Sequence, residues 1–149
     1  MKQIKLTRDQ VAIVDDEDFE ELSQFKWCAL WYPHTKSFYA VRHSKTKNGK
    51  RHMILMHRQI LGLNHGDKMQ GDHINHDTLD NQRSNLRAVT HQQNQWNHKN
   101  AKGYSWNKRN KKYMAYIKSN GKRINLGYFS TTKEARNAYL QAKKQYHVI

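Results

Sequence analysis

The chain begins with short alternations of apolar and polar residues. Ile4 to Leu6 alternates apolar and polar, and Val11 to Val14 is a short, largely β-branched apolar run, so both are expected strands. From Asp15 the period lengthens. Phe19, Leu22 and Phe25 recur at steps of three, behind carboxylates that the helix dipole favours in a first turn, so a helix is expected over Asp15 to Phe25. Trp27 to Tyr32 and Phe38 to Arg42 are aromatic, β-prone runs divided by a turn at Pro33, and they read as sheet core. Residues 1–50 are thus expected to form a small α+β unit.

The pattern changes in residues 51–98. Met53 to Leu61 is apolar apart from His57-Arg58, and Gly62 to Gly66 ends it. Gly71 to Ile74 reads as a strand, a polar loop runs through Asn85, and Leu86 to Val89 reads as a second strand. Thr90 with Gln93 three residues on is a capping box, so a helix follows. A short polar linker covers 99–102. Within 101–149, Tyr104 to Lys108, Tyr113 to Lys118 and Lys122 to Phe129 alternate as strands. Asn120-Gly121 is a hairpin turn, because both residues tolerate positive φ. Thr131 and Glu134 form another capping box, after which Ala135, Ala138, Tyr139, Ala142 and Tyr146 share one helical face. The pattern predicts an α+β chain that ends in a three-stranded antiparallel sheet plus a helix.

Composition narrows the partners. Lys and Arg total 27 against 12 Asp and Glu, a formal net charge of +15. That excess favours a polyanion, nucleic acid before an anionic membrane surface. From residue 99 onward there are 13 Lys or Arg and one acid, Glu134, whereas half of all the acids lie between Asp15 and Glu21. With 36% apolar residues the core is modest. No apolar run is long enough to span a bilayer, and the N-terminus lacks a secretory core, so an intracellular, cytoplasmic setting is expected. Cys28 is the only cysteine, which excludes an intrachain disulfide and a zinc site built from cysteine pairs.

The segment Asp72 to Asn97 concentrates the chemistry. Phosphodiester hydrolysis needs an activated water, a held phosphate and stabilisation of the leaving 3′ oxygen; an imidazole can supply the first and a divalent cation the last. Asp72 is a hard oxygen ligand for Mg²⁺ or Mn²⁺, and His73 is the natural base. Asn94, one turn into the expected helix, can offer an amide oxygen. His91, Asn94 and His98 share a helix face, so either histidine could join or replace Asn94. Asn85 stands where an amide can fix the tilt of an imidazole, and Arg87 could contact phosphate. Taken singly each has a plainer explanation: an Asp-His pair is commonly a solvated turn, Asn-rich runs are commonly loops, and His57 fits a buttress better than a ligand.

The ordered set Asp72-His73-Ile74-Asn75, Leu79-Asp80-Asn81, Ser84-Asn85-Leu86-Arg87, Val89-Thr90 and Asn94-Gln95-Trp96-Asn97, with His57-Arg58 upstream, resembles the core of HNH endonucleases of phage and intron homing type. The resemblance covers about residues 50–98. It implies a ββα-metal fold around one divalent ion, His73 as general base, Asp72 and Asn94 as ligands, and Asn85 orienting His73. Its third position is Asn94 rather than histidine. The implied product ends are a 5′ phosphate and a 3′ hydroxyl, with one active site per monomer. Val14 to Phe19 and Lys26-Trp27 resemble the leader of such proteins, a unit that either buttresses the nuclease or extends DNA contact through Arg42, Lys45, Lys47, Lys50 and Arg51. The acidic cluster is expected to point away from DNA.

Lys102 to Trp106, Tyr113 to Ile117, Arg123 to Phe129 and Glu134 to Tyr139 resemble the APETALA2-type DNA-binding domain. That resemblance implies a sheet lying in the major groove of double-stranded DNA. The reading face would hold Lys108, Arg109, Lys118, Arg123 and Asn125, with Ser105 and Asn107. Trp106, Ile117, Leu126 and Phe129 are expected beneath the helix. Two tryptophans that contact bases in the family are replaced, at Asn125 and near Asn110, so base preference is not inherited. The expected whole is a DNA endonuclease that recognises its site through the C-terminal sheet. A DNA-binding regulator with an inactive nuclease core is the alternative.

Overall fold

The computed structural model describes residues 1–44, 49–97 and 101–147. The chain divides into two compact units, Met1–Asn94 and Gln95–Ile149. It is mixed α+β, with small antiparallel sheets and, among the described residues, four α-helices.

In the first unit, β1 (Lys2–Lys5) pairs antiparallel with β2 (Val11–Val14), whose alternation sends Ala12 and Val14 inward. Helix α1 (Asp16–Ser23) starts on Asp16, Glu17 and Asp18 and buries Leu22. It stops before Phe25, which stays partly exposed, and the indole of Trp27 donates to the carbonyl of Leu22 at 2.8 Å. Strands β3 (Cys28–Tyr32), β4 (Ser37–His43) and β5 (Met53–Leu55) form an antiparallel meander. The apolar run expected over Met53 to Leu61 therefore splits into β5 and a short helix, α2 (Met56–Ile60), which buries Met56, His57 and Ile60. Strands β6 (Gln70–His73) and β7 (Leu86–Val89) pair as a two-stranded ribbon, and α3 (His91–Trp96) follows. Thr90 and Gln93 exchange the capping-box hydrogen bonds at its start.

One core cluster joins Ile4, Val14, Leu22, Trp27, Ala29 and Ala40 to Met56, Ile60 and Leu86. It crosses the boundary expected near residue 50, so residues 1–50 and the segment after them share one core. Fully buried side chains such as Leu22 and Met56 each contribute about 1.5–3 kcal/mol by leaving water.

The N-terminal segment also grips the loop between β6 and β7. The Ile13 N–H donates to the Leu79 carbonyl (2.9 Å), and the Ile13 carbonyl accepts from Asn81 N–H (2.8 Å). The Thr78 hydroxyl donates to the Phe38 carbonyl at 2.6 Å. Asp15 accepts from Arg83 N–H (2.7 Å), and the Arg83 guanidinium lies 2.7–2.9 Å from Asp18 and Glu17. Three of the clustered carboxylates, Asp15, Glu17 and Asp18, thus hold this loop within the protein.

The second unit is an antiparallel sheet in the order β10 (Lys122–Phe129), β9 (Lys112–Ser119), β8 (Tyr104–Asn107), with α4 (Thr132–Tyr146). Asn120 and Gly121 both take positive φ in the hairpin turn. Thr131 and Glu134 form the capping box of α4. Ile117, Tyr139 and Ala142 are its core, with Ile124, Leu126 and Tyr146 packed against them. A side chain at Gly103 would run into the Tyr139 ring, so the chain needs glycine there. Trp106 departs from its expected place in this core. Its register with Tyr113 puts it on the helix side, but it lies at the turn end of the edge strand and stays 51% exposed, its ring edge-on to Tyr113 at 4.8 Å.

Candidate active site

The ribbon β6–β7 sets out the site. Asp72 pairs with Arg87 and His73 with Leu86, so the alternation of a strand sends the two side chains to opposite faces. Gln70, Asp72 and Arg87 share one face; Gly71, His73 and Leu86 share the other.

His73 is buried against aromatic rings. Its ring centroid is 4.8 Å from that of His57 and 6.0 Å from that of Tyr39, both edge-on. His57 lies over Gly71, where any side chain would collide with its imidazole. This is why the strand carries glycine at that point. Burial pushes the His73 imidazole below its usual proton affinity; the bond to Asn81 and the carboxylates of Asp72, Asp77 and Asp80 oppose that shift. Burial, then the neighbouring His73 and Arg58, lower His57 to about 3. Both rings are therefore neutral at neutral pH, and His73 is in the form a general base requires.

Sequence reasoning did not single out Asn81 as a partner of the imidazole. It is almost wholly buried, and its Oδ1 lies 3.4 Å from His73 Nε2. Its Nδ2 donates to the Leu79 carbonyl at 3.1 Å, which orients the amide so that its oxygen faces the ring. An acceptor there favours the tautomer with its proton on Nε2, making Nδ1 the basic nitrogen. The signal was present in Leu79-Asp80-Asn81, where an asparagine precedes no hydrophobic run and caps no helix. Asn85 stands at the expected loop-to-strand junction, and its amide bonds the loop backbone. Its Oδ1 accepts from Asn75 N–H (2.9 Å) and its Nδ2 donates to the Asp80 carbonyl (2.7 Å), closing the neck of the loop.

On the opposite face, Arg87 Nε and Nη2 each lie 2.8 Å from Asp72 Oδ2, in a pair that is mostly buried. Arg87 is thus engaged with the carboxylate. Asn94 Nδ2 donates to Gln70 Oε1 at 2.8 Å, and Gln70 Nε2 faces His91 Nδ1 at 3.2 Å. His91 reaches Gln70, while His98 lies outside the described residues, as do Lys45 and Lys47. Among the described residues no three His, Cys, Asp or Glu side chains gather as a metal cluster. A buried carboxylate and an amide oxygen are nevertheless two hard donors, which suit a divalent cation that keeps several of its waters.

In the second unit, Lys118, Arg123 and Asn125 are exposed on the sheet face away from Ile117 and Ile124, and Lys108 and Arg109 are exposed on the turn after β8. Lys118 and Arg123 are direct cross-strand partners, a like-charge pair that costs stability unless an anion lies between them. The Arg123 guanidinium rests 3.7 Å from the Tyr116 ring centroid. Asn125 Oδ1 accepts from Gly127 N–H at a bulge.

Residues 55–96 match the sequence model of the HNH endonuclease family. The match runs from the end of β5 to the end of α3 and takes in His57, Asp72, His73, Asn81, Asn85 and Asn94. It supports an HNH nuclease segment, with DNA as the substrate class and hydrolysis as the reaction class; nucleases of this family generally use a divalent metal ion. No curated protein and no solved structure matches the chain. Among the described residues no helix is long and apolar enough to cross a membrane.

Proposed function

We propose that the chain is a metal-dependent DNA endonuclease of homing type that hydrolyses one phosphodiester bond per active site and recognises its site through the C-terminal sheet. The observation that carries this reading is a coincidence. The stretch matching the HNH endonucleases is also the one in which the fold buries a neutral imidazole, next in sequence to a buried carboxylate, at the strand end that opens into a pinned loop.

His73 takes a proton from water as that water attacks phosphorus. The bond from phosphorus to the 3′ oxygen breaks, leaving a 5′ phosphate, and the departing 3′ oxygen takes a proton from solvent to become the 3′ hydroxyl. Asn81 holds the imidazole by Nε2, and Asn85 holds the loop that carries Asn81. Asp72 and Asn94 would hold Mg²⁺ or Mn²⁺, which when bound would supply charge stabilisation to the departing oxygen. Arg87 keeps the Asp72 carboxylate in place. Lys108, Arg109, Lys118, Arg123 and Asn125 face double-stranded DNA, whose major groove admits a β-structure. With one active site per chain, a monomer on DNA nicks; a double-strand cut takes two sites or two successive events.

The Arg87–Asp72 ion pair favours one other reading, because a carboxylate already gripped by a guanidinium is a weaker metal ligand. In that reading the protein is a DNA-binding regulator whose nuclease core is inactive. A plasmid-nicking assay separates the two. Nicking that needs Mg²⁺ or Mn²⁺, stops with EDTA and is lost in His73→Ala supports the endonuclease. DNA binding without nicking under any divalent ion supports the regulator. Nicking that survives His73→Ala removes His73 as the base.

A further inference from the structure

We propose that Gln70 is a positioning residue for the metal site: it holds the Asn94 amide by its nitrogen and so presents the amide oxygen to the cation, with His91 holding Gln70 in turn. The inference rests on the reading of Asp72 and Asn94 as ligands and adds a chain of side chains behind them.

An asparagine side chain is a poor ligand when left to itself. Its oxygen and nitrogen ends are nearly the same shape, and only the oxygen can bind a hard cation. A metal site that uses asparagine needs something to choose the end. Asn94 lies in the first turns of α3, and its Nδ2 is 2.8 Å from Gln70 Oε1. Reversing the Asn94 amide would set oxygen against oxygen at that distance. Gln70 poses the same question of orientation. Its Nε2 is 3.2 Å from His91 Nδ1, which accepts when the His91 proton sits on Nε2. With the His91 proton on Nε2 the order is set: the ring nitrogen accepts from Gln70, Gln70 accepts from Asn94, and the Asn94 oxygen is left as the end that does not face Gln70.

Backbone position supports the same assignment. Gln70 is two residues before Asp72 on β6, so it stands on the face of the ribbon that bears Asp72. The relay therefore ties the helix that carries one ligand to the strand that carries the other. His91 gains a role that does not require it to touch the ion. Side chains behind the ligands commonly change metal affinity by about ten- to a hundredfold when removed.

The test is Mn²⁺ binding to the full-length chain without DNA, read by electron paramagnetic resonance of free Mn²⁺ and by titration calorimetry. Gln70→Leu keeps a branched side chain, one atom shorter, and removes its acceptor, and it is expected to weaken Mn²⁺ binding about tenfold. Gln70→Glu keeps an oxygen facing Asn94 Nδ2 and is expected to bind Mn²⁺ at least as tightly as the parent. His91→Ala is expected to weaken binding less than Gln70→Leu. A purely structural Gln70 would lower thermal stability in both Gln70 variants without separating their Mn²⁺ affinities, and that result overturns the proposal. Asp72→Ala and Asn94→Ala serve as the second arm. If they abolish binding while Gln70→Leu leaves it unchanged, the relay is wrong and the metal site stands. If they leave Mn²⁺ binding unchanged, or the parent shows none at millimolar Mn²⁺, the ligand reading fails and the relay falls with it.

Discussion

The two units handle polarity in opposite ways. Every buried polar or charged side chain among the described residues lies in Met1–Asn94: Asp18, His57, Asp72, His73, Thr78, Asn81 and Asn85. In Gln95–Ile149 the core is apolar and tyrosine-edged, and the charges stand outside. Net charge divides the same way, with 14 Lys or Arg against 11 acids in residues 1–94 and 13 against one in residues 95–149. Burying a polar group costs free energy unless it is hydrogen-bonded, so a fold that buries seven of them has a use for fixed geometry. A dense exposed charge needs no such geometry and acts through counterion release and long-range attraction. On this contrast the first unit should fail catalytically when its buried groups change, and the second should fail in binding.

The sharpest way to break the contrast is His73→Ala. Nicking is expected to fall by roughly a hundred- to ten-thousandfold, with DNA affinity little changed. A loss of affinity as large as the loss of rate would mean that His73 belongs to the binding surface. The complementary change is Lys118→Ala with Arg123→Ala. DNA affinity should fall, and the slope of log affinity against log salt should shrink by about two, one for each phosphate contact removed, while the nicking rate at saturating DNA holds. An unchanged salt slope would take this face out of the interface.

Elements with strong local rules were legible in sequence. β2, β7 and β10 fall on their expected spans, both capping boxes form, and Asn120-Gly121 turns the hairpin. Each depends on neighbours a few residues away. What was not legible depends on distant partners. The Met53 to Leu61 run became strand and helix because Met56 and Ile60 pack into a core supplied largely by residues 1–40. Trp106 escaped burial because an edge strand offers less cover than its pattern implies. In the site, residue types gave Asp72 and His73 directly. The partners of those groups needed three dimensions: Asn81 for the imidazole, Arg87 for the carboxylate, Gln70 for Asn94. The clamp from Asp15 and Asp18 to Arg83 spans 65 or more positions, and no local pattern announces it.

A pH series sharpens the contrast by stability. The buried His57 has its proton affinity lowered from 6.5 to about 3. Below pH 6.5 the unfolded chain binds a proton at this site that the folded chain refuses. Stability therefore rises with pH across that window and is lost as pH falls from 6.5 toward 3, by about 1.4 kcal/mol per pH unit for one such group. Urea unfolding of the first unit between pH 6 and pH 4 should show a slope that His57→Gln, which cannot take the proton, reduces. An equal slope in parent and variant would place the acid sensitivity elsewhere, His73 included.

The smallest expected effect tests whether the leader is a working part of the first unit. Arg83 is half-exposed, but Asp18 is only 10% exposed, so removing the guanidinium strands a carboxylate in poor solvent. Because one partner is half in water, the expected loss for Arg83→Ala is about 1–2 kcal/mol, at the low end for a charged hydrogen bond. Hydrogen exchange locates that loss. The Ile13 and Asn81 amides, which tie β2 to the loop, should exchange faster, and those of β9 and β10 should not. Nicking should fall several-fold with them, because Asn81 is pinned by Ile13 and Arg83 by Asp15 and Asp18, which lie just after β2. Faster exchange with an unchanged nicking rate would mean that the loop can loosen without moving His73. The buried polar cluster would then be holding the fold more than the chemistry.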